Sequence, residues 1–509
     1  MSHVRTRFAP SPTGGLHLGG VRTALYSYLF AKKHGGQFVL RIEDTDQSRY
    51  VEGAEQYILD CLQWCGILPD EGPHQAGEFA PYRQSERKEM YRQYAMQLVE
   101  SGHAYYAFDT AEELDEMRKA VKAGNEHATF QYDSSTRMHL NNSLRLLPEE
   151  VEALLQNNTP YVIRIKMPTH ETITFQDIIR GEISNESNLV DDKVLLKADG
   201  MPTYHLAVVV DDYLMKITHA FRGEEWLPSA PVHIKLWEYL GWKSHMPHWA
   251  HLPLILKPDG NGKLSKRDGD RLGFPVFAMN WLDPKTNELS KGFKELGFLP
   301  EAFINMLAML GWSSGEEKEI FSKDELIQLF SLERVHKGGA KFDFEKAKWF
   351  NHEWIKHQAV ELLMPDVKQC LAEANVDVVN DDYLAKVISL VKDRCILISD
   401  FNTQSVYFFE APKVIDLDAL KPKWSEEKAM FFNSIQTVFN NTSEWQTAEI
   451  EKAFKQLATE MNIKVGELQL PFRIMLVGGK YGPGVSQIAE AIGKESTLQR
   501  IEKVMYMLQ

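Results

Sequence analysis

The stretch that decides the fold is Ala9-Pro-Ser-Pro-Thr-Gly-Gly-Leu-His-Leu-Gly-Gly20, a turn-rich segment near the start of the chain. The strand candidate Val4–Phe8 precedes it, and from Leu18 to Leu29 apolar residues recur at helical spacing. A second strand candidate, Gln37–Ile42, and a helix beginning near Gly53 follow. Strands that alternate with helices through short loops predict a parallel, doubly wound sheet.

The alternation is interrupted between residues 103 and 201. Charged helical runs there mix with the predicted strands Tyr161–Lys166 and Thr172–Phe175. The parallel-sheet pattern resumes with two further predicted strands, Tyr204–Val210 and Ile217–Arg222. After Pro253 comes a loop rich in Lys, Gly and Asp, and helical periodicity then dominates to the end. We therefore predict an α/β protein: one split, Rossmann-like nucleotide-binding domain with an α+β insertion, followed by an all-α C-terminal region.

Composition and charge exclude several classes of protein. The 509 residues are 44% hydrophobic and 25% charged, which excludes collagen-like and wholly disordered chains. No apolar run approaches the ~18 residues needed to cross a bilayer, so we expect a cytosolic enzyme without a membrane partner. The net charge of -14 argues against a nonspecific polyanion binder, but residues 1–50 carry a local excess of basic side chains. An anionic partner gripped locally is compatible with that pattern.

Metal and disulfide signals are weak. The chain has four cysteines and no C-x-x-C pair. We expect four buried thiols rather than a disulfide framework or a structural zinc site.

His17 stands where the opening turn meets the first predicted helix. A helix N-terminus presents unpaired N–H groups and a partial positive charge, which suit a phosphate. Gly19 and Gly20 would let a flat nucleotide approach the backbone. A purely structural strand-to-helix turn explains the same residues about as well.

A second candidate segment is Lys263-Leu-Ser-Lys-Arg267, flanked by Gly260, Gly262 and Gly269. Three cations on a flexible loop could clamp a polyphosphate. Taken alone, a solvated basic surface loop is the better interpretation.

Together the two segments resemble the signature pair of class I aminoacyl-tRNA synthetases. Further motifs narrow the resemblance to bacterial-type glutamyl-tRNA synthetases, and they occur in that family's order: Arg7-Phe-Ala-Pro-Ser-Pro-Thr-Gly14, Arg22-Thr-Ala-Leu25, Arg41-Ile-Glu-Asp-Thr-Asp46, Tyr82-Arg-Gln-Ser-Glu-Arg87, Gly200-Met-Pro-Thr-Tyr204 and Arg222-Gly-Glu-Glu-Trp226. The resemblance covers nearly the whole chain and is looser in the helical C-terminal third.

The resemblance implies ATP-dependent ligation of L-glutamate to tRNA(Glu) through a glutamyl-adenylate, with AMP and diphosphate released. By the family pattern, His17 and Lys266 stabilise the transferring phosphoryl group. The ATP-binding residues would be His17, Gly19, Glu225, Lys263 and Lys266, with Mg²⁺ entering on ATP. The glutamate-binding residues would be Arg7, Ser11, Glu43, Tyr204 and Arg222. A simpler alternative is that these charges only pair with one another, for example Arg41 with Glu43 or Asp44.

The resemblance also implies a domain order and partners. The regions would be 1–102 and 202–255 (the two catalytic halves), 103–201 (an acceptor-binding insertion), 256–340 (a stem-contact region with the basic loop) and 341–509 (a helical anticodon-binding region). Arg394 would contact the tRNA anticodon, although a surface helix arginine is an alternative. The segment Ala104–Phe108 lacks the cysteines with which many relatives hold zinc, so we expect no zinc. We expect a cytoplasmic monomer, and the competing class is an inactive RNA-binding paralogue.

Overall fold

The structure is a computed structural model that describes residues 3–75, 77–125, 129–260 and 262–508, with the backbone alone at positions 266, 267 and 270. It divides into two compact units. The first runs to Glu295 and includes Phe303–Phe344, and the second comprises Leu296–Ala302 and the chain from Glu345 onward.

The strands of the described residues are, in chain order, β1 Arg5–Phe8, β2 Gln37–Leu40, β3 Ala104–Ala107, β4 Val162–Ile165, β5 Thr172–Asp177, β6 Gly181–Glu186, β7 Val194–Leu196, β8 His219–Gly223, β9 His248–Leu252, β10 Ile255–Leu256, β11 Trp281–Leu282, β12 Leu289–Ser290 and β13 Ala340–Lys341.

The helices are α1 Leu18–Lys33, α2 Ala54–Trp64, α3 Lys88–Glu100, α4 Ala111–Gly124, α5 Pro148–Gln156, α6 Tyr204–Leu214, α7 Ala230–Tyr239, α8 Lys266–Leu272, α9 Phe293–Leu296, α10 Pro300–Met309, α11 Lys323–Leu329, α12 Phe344–His357, α13 Val360–Glu373, α14 Asp381–Val391, α15 Asp400–Phe409, α16 Leu417–Leu420, α17 Glu426–Asn441, α18 Thr447–Glu460, α19 Val465–Val477, α20 Val485–Ile492 and α21 Lys494–Met507. None of these is long and apolar enough to cross a membrane.

The first unit is built on a six-stranded sheet of order β2-β1-β8-β9-β5-β6. Its neighbouring strands are parallel except for the antiparallel edge pair β5 and β6. The predicted doubly wound sheet is confirmed, and its order puts β8 beside β1 although about two hundred residues separate them in the chain. Two strands of the 103–201 range, β5 and β6, join this sheet, whereas β3, β4 and β7 form a separate antiparallel sheet.

One predicted strand is wrong: Tyr204–Val210 is the first part of helix α6. Every residue from Leu206 through Asp212 is buried. The apolar side chains among them pack in a cluster with α3 and α7. A segment that is buried all round shows no amphipathic period, so a buried strand and a buried helix look alike in sequence. The following prediction, Ile217–Arg222, is confirmed with a small shift as β8.

The second unit is helical, as expected. Its core contains a stripe of apolar residues that recur at helical spacing in the sequence: Leu384, Val387, Ile388, Val391, Cys395 and Ile398. Helix α14 ends at Val391, however, and a short 3-10 turn over Lys392–Arg394 follows, so the last two members of the stripe lie beyond the helix. Cys61, Cys65 and Cys395 are buried as predicted, while Cys370 is only half-buried.

Candidate active site

A cleft of about 910 Å³ opens where the carboxyl ends of β1 and β8 meet the N-terminus of α1. Ligands of doubly wound sheets bind at such a crevice, where the strand order changes direction. The cleft is lined by nine of the residues singled out by sequence: Arg7, Ser11, His17, Gly19, Glu43, Tyr204, Arg222, Glu225 and Lys263. The fold therefore brings these residues together from five separate stretches of the chain.

His17 caps helix α1. Its backbone is extended, and its Nδ1 accepts a hydrogen bond from the Gly19 backbone N–H at 3.2 Å. Because Nδ1 serves as the acceptor, a neutral imidazole carries its proton on Nε2. The side chain thus presents a donor at the positive end of a sixteen-residue helix, an arrangement suited to a phosphate oxygen.

The two glycines that follow His17 have different surroundings. A Cβ added at Gly20 would lie 2.6 Å from Leu16 Cδ1, so packing within the protein itself favours glycine there. A Cβ added at Gly19 would approach only His17 Nδ1, at 3.8 Å. Protein packing therefore gives no reason for glycine at position 19, which lines the open cleft.

Arg7 belongs to a buried ion-pair network behind the cleft. Its Nε donates to Asp212 Oδ1 at 3.0 Å, and Arg41 Nη1 donates to the same oxygen at 2.8 Å. Burial raises the pKa of Asp212, but the two guanidinium groups outweigh burial and hold that pKa below its usual value. Arg41 also pairs with Glu43 at 3.0 Å, as the simpler charge-pairing alternative anticipated. Burial raises the pKa of Glu43, and Arg41 opposes that effect.

Arg222 lies across the cleft on β8. Its Nη1 donates to the Tyr204 hydroxyl at 3.3 Å, and its Nε donates to His251 Nε2 at 2.8 Å. Its Nη2 is buried and has no hydrogen-bond partner among the described residues. Burial raises the pKa of Tyr204, so that side chain stays a neutral phenol able to donate or accept. One edge of the Arg222 fork is thereby left for a ligand oxygen.

The basic segment is only partly the loop expected from sequence. Lys263 precedes the helix, and the backbone of Lys266 begins α8, because the N–H and hydroxyl of Ser265 both donate to Asp268 and fix the first turn. Lys263 Nζ pairs with Glu225 Oε1 at 2.6 Å, so two predicted ATP-binding residues contact each other. The side chain of Lys266 lies outside the described residues.

Arg394 lies in the second unit, on the exposed turn after α14. Arg473 is near it and donates to the carbonyl oxygens of Tyr481, Gly482 and Pro483. Burial lowers the pKa of Arg473, and the positive charge of Arg394 lowers that pKa further. Two guanidinium groups close to each other make this surface locally positive.

Several residues of the first-unit site escaped the sequence analysis. Asp212 and the imidazoles of His233 and His251 contact the predicted arginines but belong to none of the motifs. The sequence did contain a signal for Asp212. Asp211-Asp212 directly follows an apolar run, so both carboxylates are expected to be buried, and a buried carboxylate needs a cationic partner. Among the described residues, no group of three or more His, Cys, Asp or Glu side chains is placed to hold a metal ion.

Residues 3–349 match the family of class I tRNA synthetases for E and Q, catalytic domain, and residues 357–505 match an anticodon binding domain. A glutamate–tRNA ligase of Christiangramia forsetii is 51% identical over 99% of both chains, and one of Flavobacterium psychrophilum is 53% identical over the same share. The crystal structure of a glutamate tRNA ligase from Elizabethkingia meningosepticum in complex with its amino acid is 50% identical and covers both chains fully, with a TM-score of 0.95.

Proposed function

This chain belongs to the class I glutamate–tRNA ligases, and on that premise we propose how its cleft carries out the reaction. The enzyme joins L-glutamate to tRNA(Glu) in two steps through a glutamyl-adenylate. In the first step a glutamate carboxylate oxygen attacks the α-phosphorus of ATP, and pyrophosphate leaves. The nucleophile is already ionised, so the protein must supply alignment and charge stabilisation rather than a general base.

The α1 side of the cleft is the proposed ATP site. His17 would donate to a phosphate oxygen from the helix N-terminus, and Gly19 would leave room for the nucleotide. Lys263 would exchange its contact with Glu225 for the phosphates, which frees Glu225 to hold the adenosine. Lys266, which follows Ser265 at the cleft edge, is proposed to meet the β- and γ-phosphates. The donors on this side suit phosphate oxygens rather than a cation, so Mg²⁺ is proposed as part of the MgATP substrate.

A second set of lining residues forms the proposed glutamate site. Glutamate carries two carboxylates and one ammonium group, and the cleft offers Arg7 and Arg222 for the former and Glu43 for the latter. Ser11 and Tyr204 would donate hydrogen bonds. The observation that carries the proposal is that Arg222 lines the cleft and has a buried Nη2 without a hydrogen-bond partner among the described residues, because an anionic oxygen would satisfy both its charge and its hydrogen bond.

In the second step the terminal 2′-hydroxyl of tRNA attacks the mixed anhydride, and AMP leaves. We propose that region 103–201 contacts the acceptor end and that region 256–340 contacts the stem. The helical region 341–509 would bind the anticodon, with Arg394 contacting a base from its exposed, positive surface. We also propose that the enzyme works as a cytoplasmic monomer, without zinc.

The test is glutamate-dependent ATP–pyrophosphate exchange, run with and without tRNA(Glu). Exchange that requires tRNA supports a site completed by the acceptor end, whereas exchange without tRNA retains the activation chemistry and removes that coupling. Arg222→Lys serves as the control, because it keeps the charge but loses the planar fork, so its KM for glutamate should rise. Folded protein without exchange in either reaction would favour the inactive RNA-binding paralogue.

A further inference from the structure

Arg222 is held unlike the buried arginines Arg5, Arg7 and Arg41 of the same unit. Arg7 and Arg41 share Asp212, and Arg5 pairs with Glu71 at 2.7 Å. Within the described ranges, no carboxylate lies within ion-pair distance of Arg222. Burying a guanidinium without a counter-charge costs free energy. Since the described residues supply no negative charge here, only a bound ligand can supply it.

His251 supplies the first neutral contact. It is the register partner of Arg222 on the adjacent strand β9, and its Nε2 accepts from Arg222 Nε at 2.8 Å. A guanidinium has only donors, so His251 Nε2 must accept through its lone pair, and the proton of the neutral imidazole must lie on Nδ1. That Nδ1 donates to Asp177 Oδ2 at 2.6 Å, and the backbone N–H groups of Ile179 and Arg180 donate to the other Asp177 oxygen. The hydrogen bond to Asp177 therefore fixes the tautomer of His251.

His233 supplies the second neutral contact, from helix α7. Its Nδ1 lies 3.1 Å from Arg222 Nη1 and must likewise accept. The proton then sits on Nε2 and donates to His205 Nδ1, 3.2 Å away. Burial lowers the pKa of His233 well below its usual value and lowers the pKa of His205 to about 4. Both imidazoles are neutral near pH 7.

We propose that His251 and His233 are positioning residues that aim Arg222 with neutral acceptors, so that only an anionic ligand balances its charge. A carboxylate ligand then gains a full charge pair and a hydrogen bond from the open Nη2, whereas an amide accepts that hydrogen bond without supplying a charge. The neutrality of the two imidazoles thus sets the preference for glutamate over glutamine. This inference rests on the proposed binding of glutamate by Arg222.

The test compares His233→Asp with His233→Asn. The two side chains have nearly the same shape, both place an oxygen near the position of Nδ1, and both lose the contact with His205. They differ in charge and in one terminal group, which is a second acceptor oxygen in Asp and an NH₂ donor in Asn. The KM for glutamate in the Asp variant should exceed that in the Asn variant by at least about tenfold, while the KM for ATP stays equal, because only the Asp carboxylate neutralises Arg222. The ratio of glutamate to glutamine activation should fall in the same variant.

Controls separate the possible failures. Thermal unfolding checks that both proteins fold, and if His233→Asp does not, His251→Glu against His251→Gln makes the same comparison on the other side of Arg222. Equal KM values within a folded pair, with Arg222→Lys impaired, overturn the inference and leave the proposed function standing. An unchanged KM for glutamate in Arg222→Lys overturns both. A merely structural role for these histidines would impair the charged and neutral variants alike.

Discussion

Gly19→Ala should separate the stability of the protein from its affinity for ATP. The added Cβ meets only His17 Nδ1, at an ordinary contact distance of 3.8 Å, so the fold accepts it without movement. Alanine is a better helix former than glycine, and Gly19 lies in the first turn of α1. The variant should therefore unfold at the same free energy or up to about 1 kcal/mol higher.

The same methyl group projects into the space where ATP is proposed to lie against the backbone. Forcing one extra methyl into a close contact costs about 1–3 kcal/mol, which corresponds to a rise of roughly five- to 150-fold in the KM for ATP. The KM for glutamate should change little, since a different set of residues is proposed to bind that ligand. Steady-state charging of tRNA(Glu) at varied ATP and varied glutamate measures both values.

Gly20→Ala is the matched control. Gly20 also lines the cleft, but its Cβ would meet Leu16 Cδ1 at 2.6 Å, so the expected effect is a loss of stability with a smaller rise in the KM for ATP than in Gly19→Ala. Gly19→Ala should thus weaken ATP binding and leave stability intact, whereas Gly20→Ala should mainly lower stability. A KM for ATP in Gly19→Ala within twofold of the unsubstituted enzyme would show that ATP does not approach this backbone and would refute the placement of the nucleotide.

Three further predictions follow from the structure. His17→Ala should abolish charging yet fold, since the capping contact that it removes is worth about 1 kcal/mol and its ring lies edge-on to Phe277 with 6.5 Å between centroids; normal turnover in the folded variant would contradict its assigned role. Arg394→Gln should weaken discrimination between tRNA(Glu) and tRNA(Gln), and unchanged relative charging of the two tRNAs would count against it. The folded-state pKa of His205 is lowered to about 4, so the unfolded chain binds its proton first as the pH falls below the usual histidine pKa of about 6.5. Stability should therefore decline from about pH 6.5 to 4, and His205→Gln should reduce the slope measured by denaturant unfolding at each pH, whereas an unaltered slope would exclude this group as a cause.

Local pattern predicted the first fifty residues well because strong turn residues bound each element there. The strand β1, the helix α1 and the closing His34-Gly35-Gly36 turn are each specified within a few residues. The same reasoning failed at α6, because burial on every side removes the period that distinguishes a helix from a strand. It also placed Lys266 in a loop, because the flanking glycines indicate a loop. The cap formed by Ser265 and Asp268 instead starts helix α8 at Lys266.

The members of the candidate site were predictable from motifs, but the partners that hold them were not. Tyr204 and Arg222 belong to recognisable segments, whereas His233 and His251 are isolated histidines in apolar surroundings. Their contact with Arg222 exists only because β8 and β9 pair in register and α7 packs beside them. Strand register and helix packing over long sequence distances are properties of the whole fold, which the spacing of one segment does not encode.

The distribution of charge explains how a chain of net charge -14 can bind anionic substrates. The residues lining the cleft include six lysines and arginines against four carboxylates, so the local balance is opposite in sign to that of the whole chain. Screening limits the reach of the distant negative charges to about 8–10 Å at physiological salt, whereas cations inside a low-dielectric cleft act on a ligand at contact distance. The distant charges therefore act on tRNA only once it nears the protein surface, and the few cations lining the cleft govern the binding of ATP and glutamate. Raising the ionic strength should accordingly affect the KM for tRNA more strongly than the KM for glutamate.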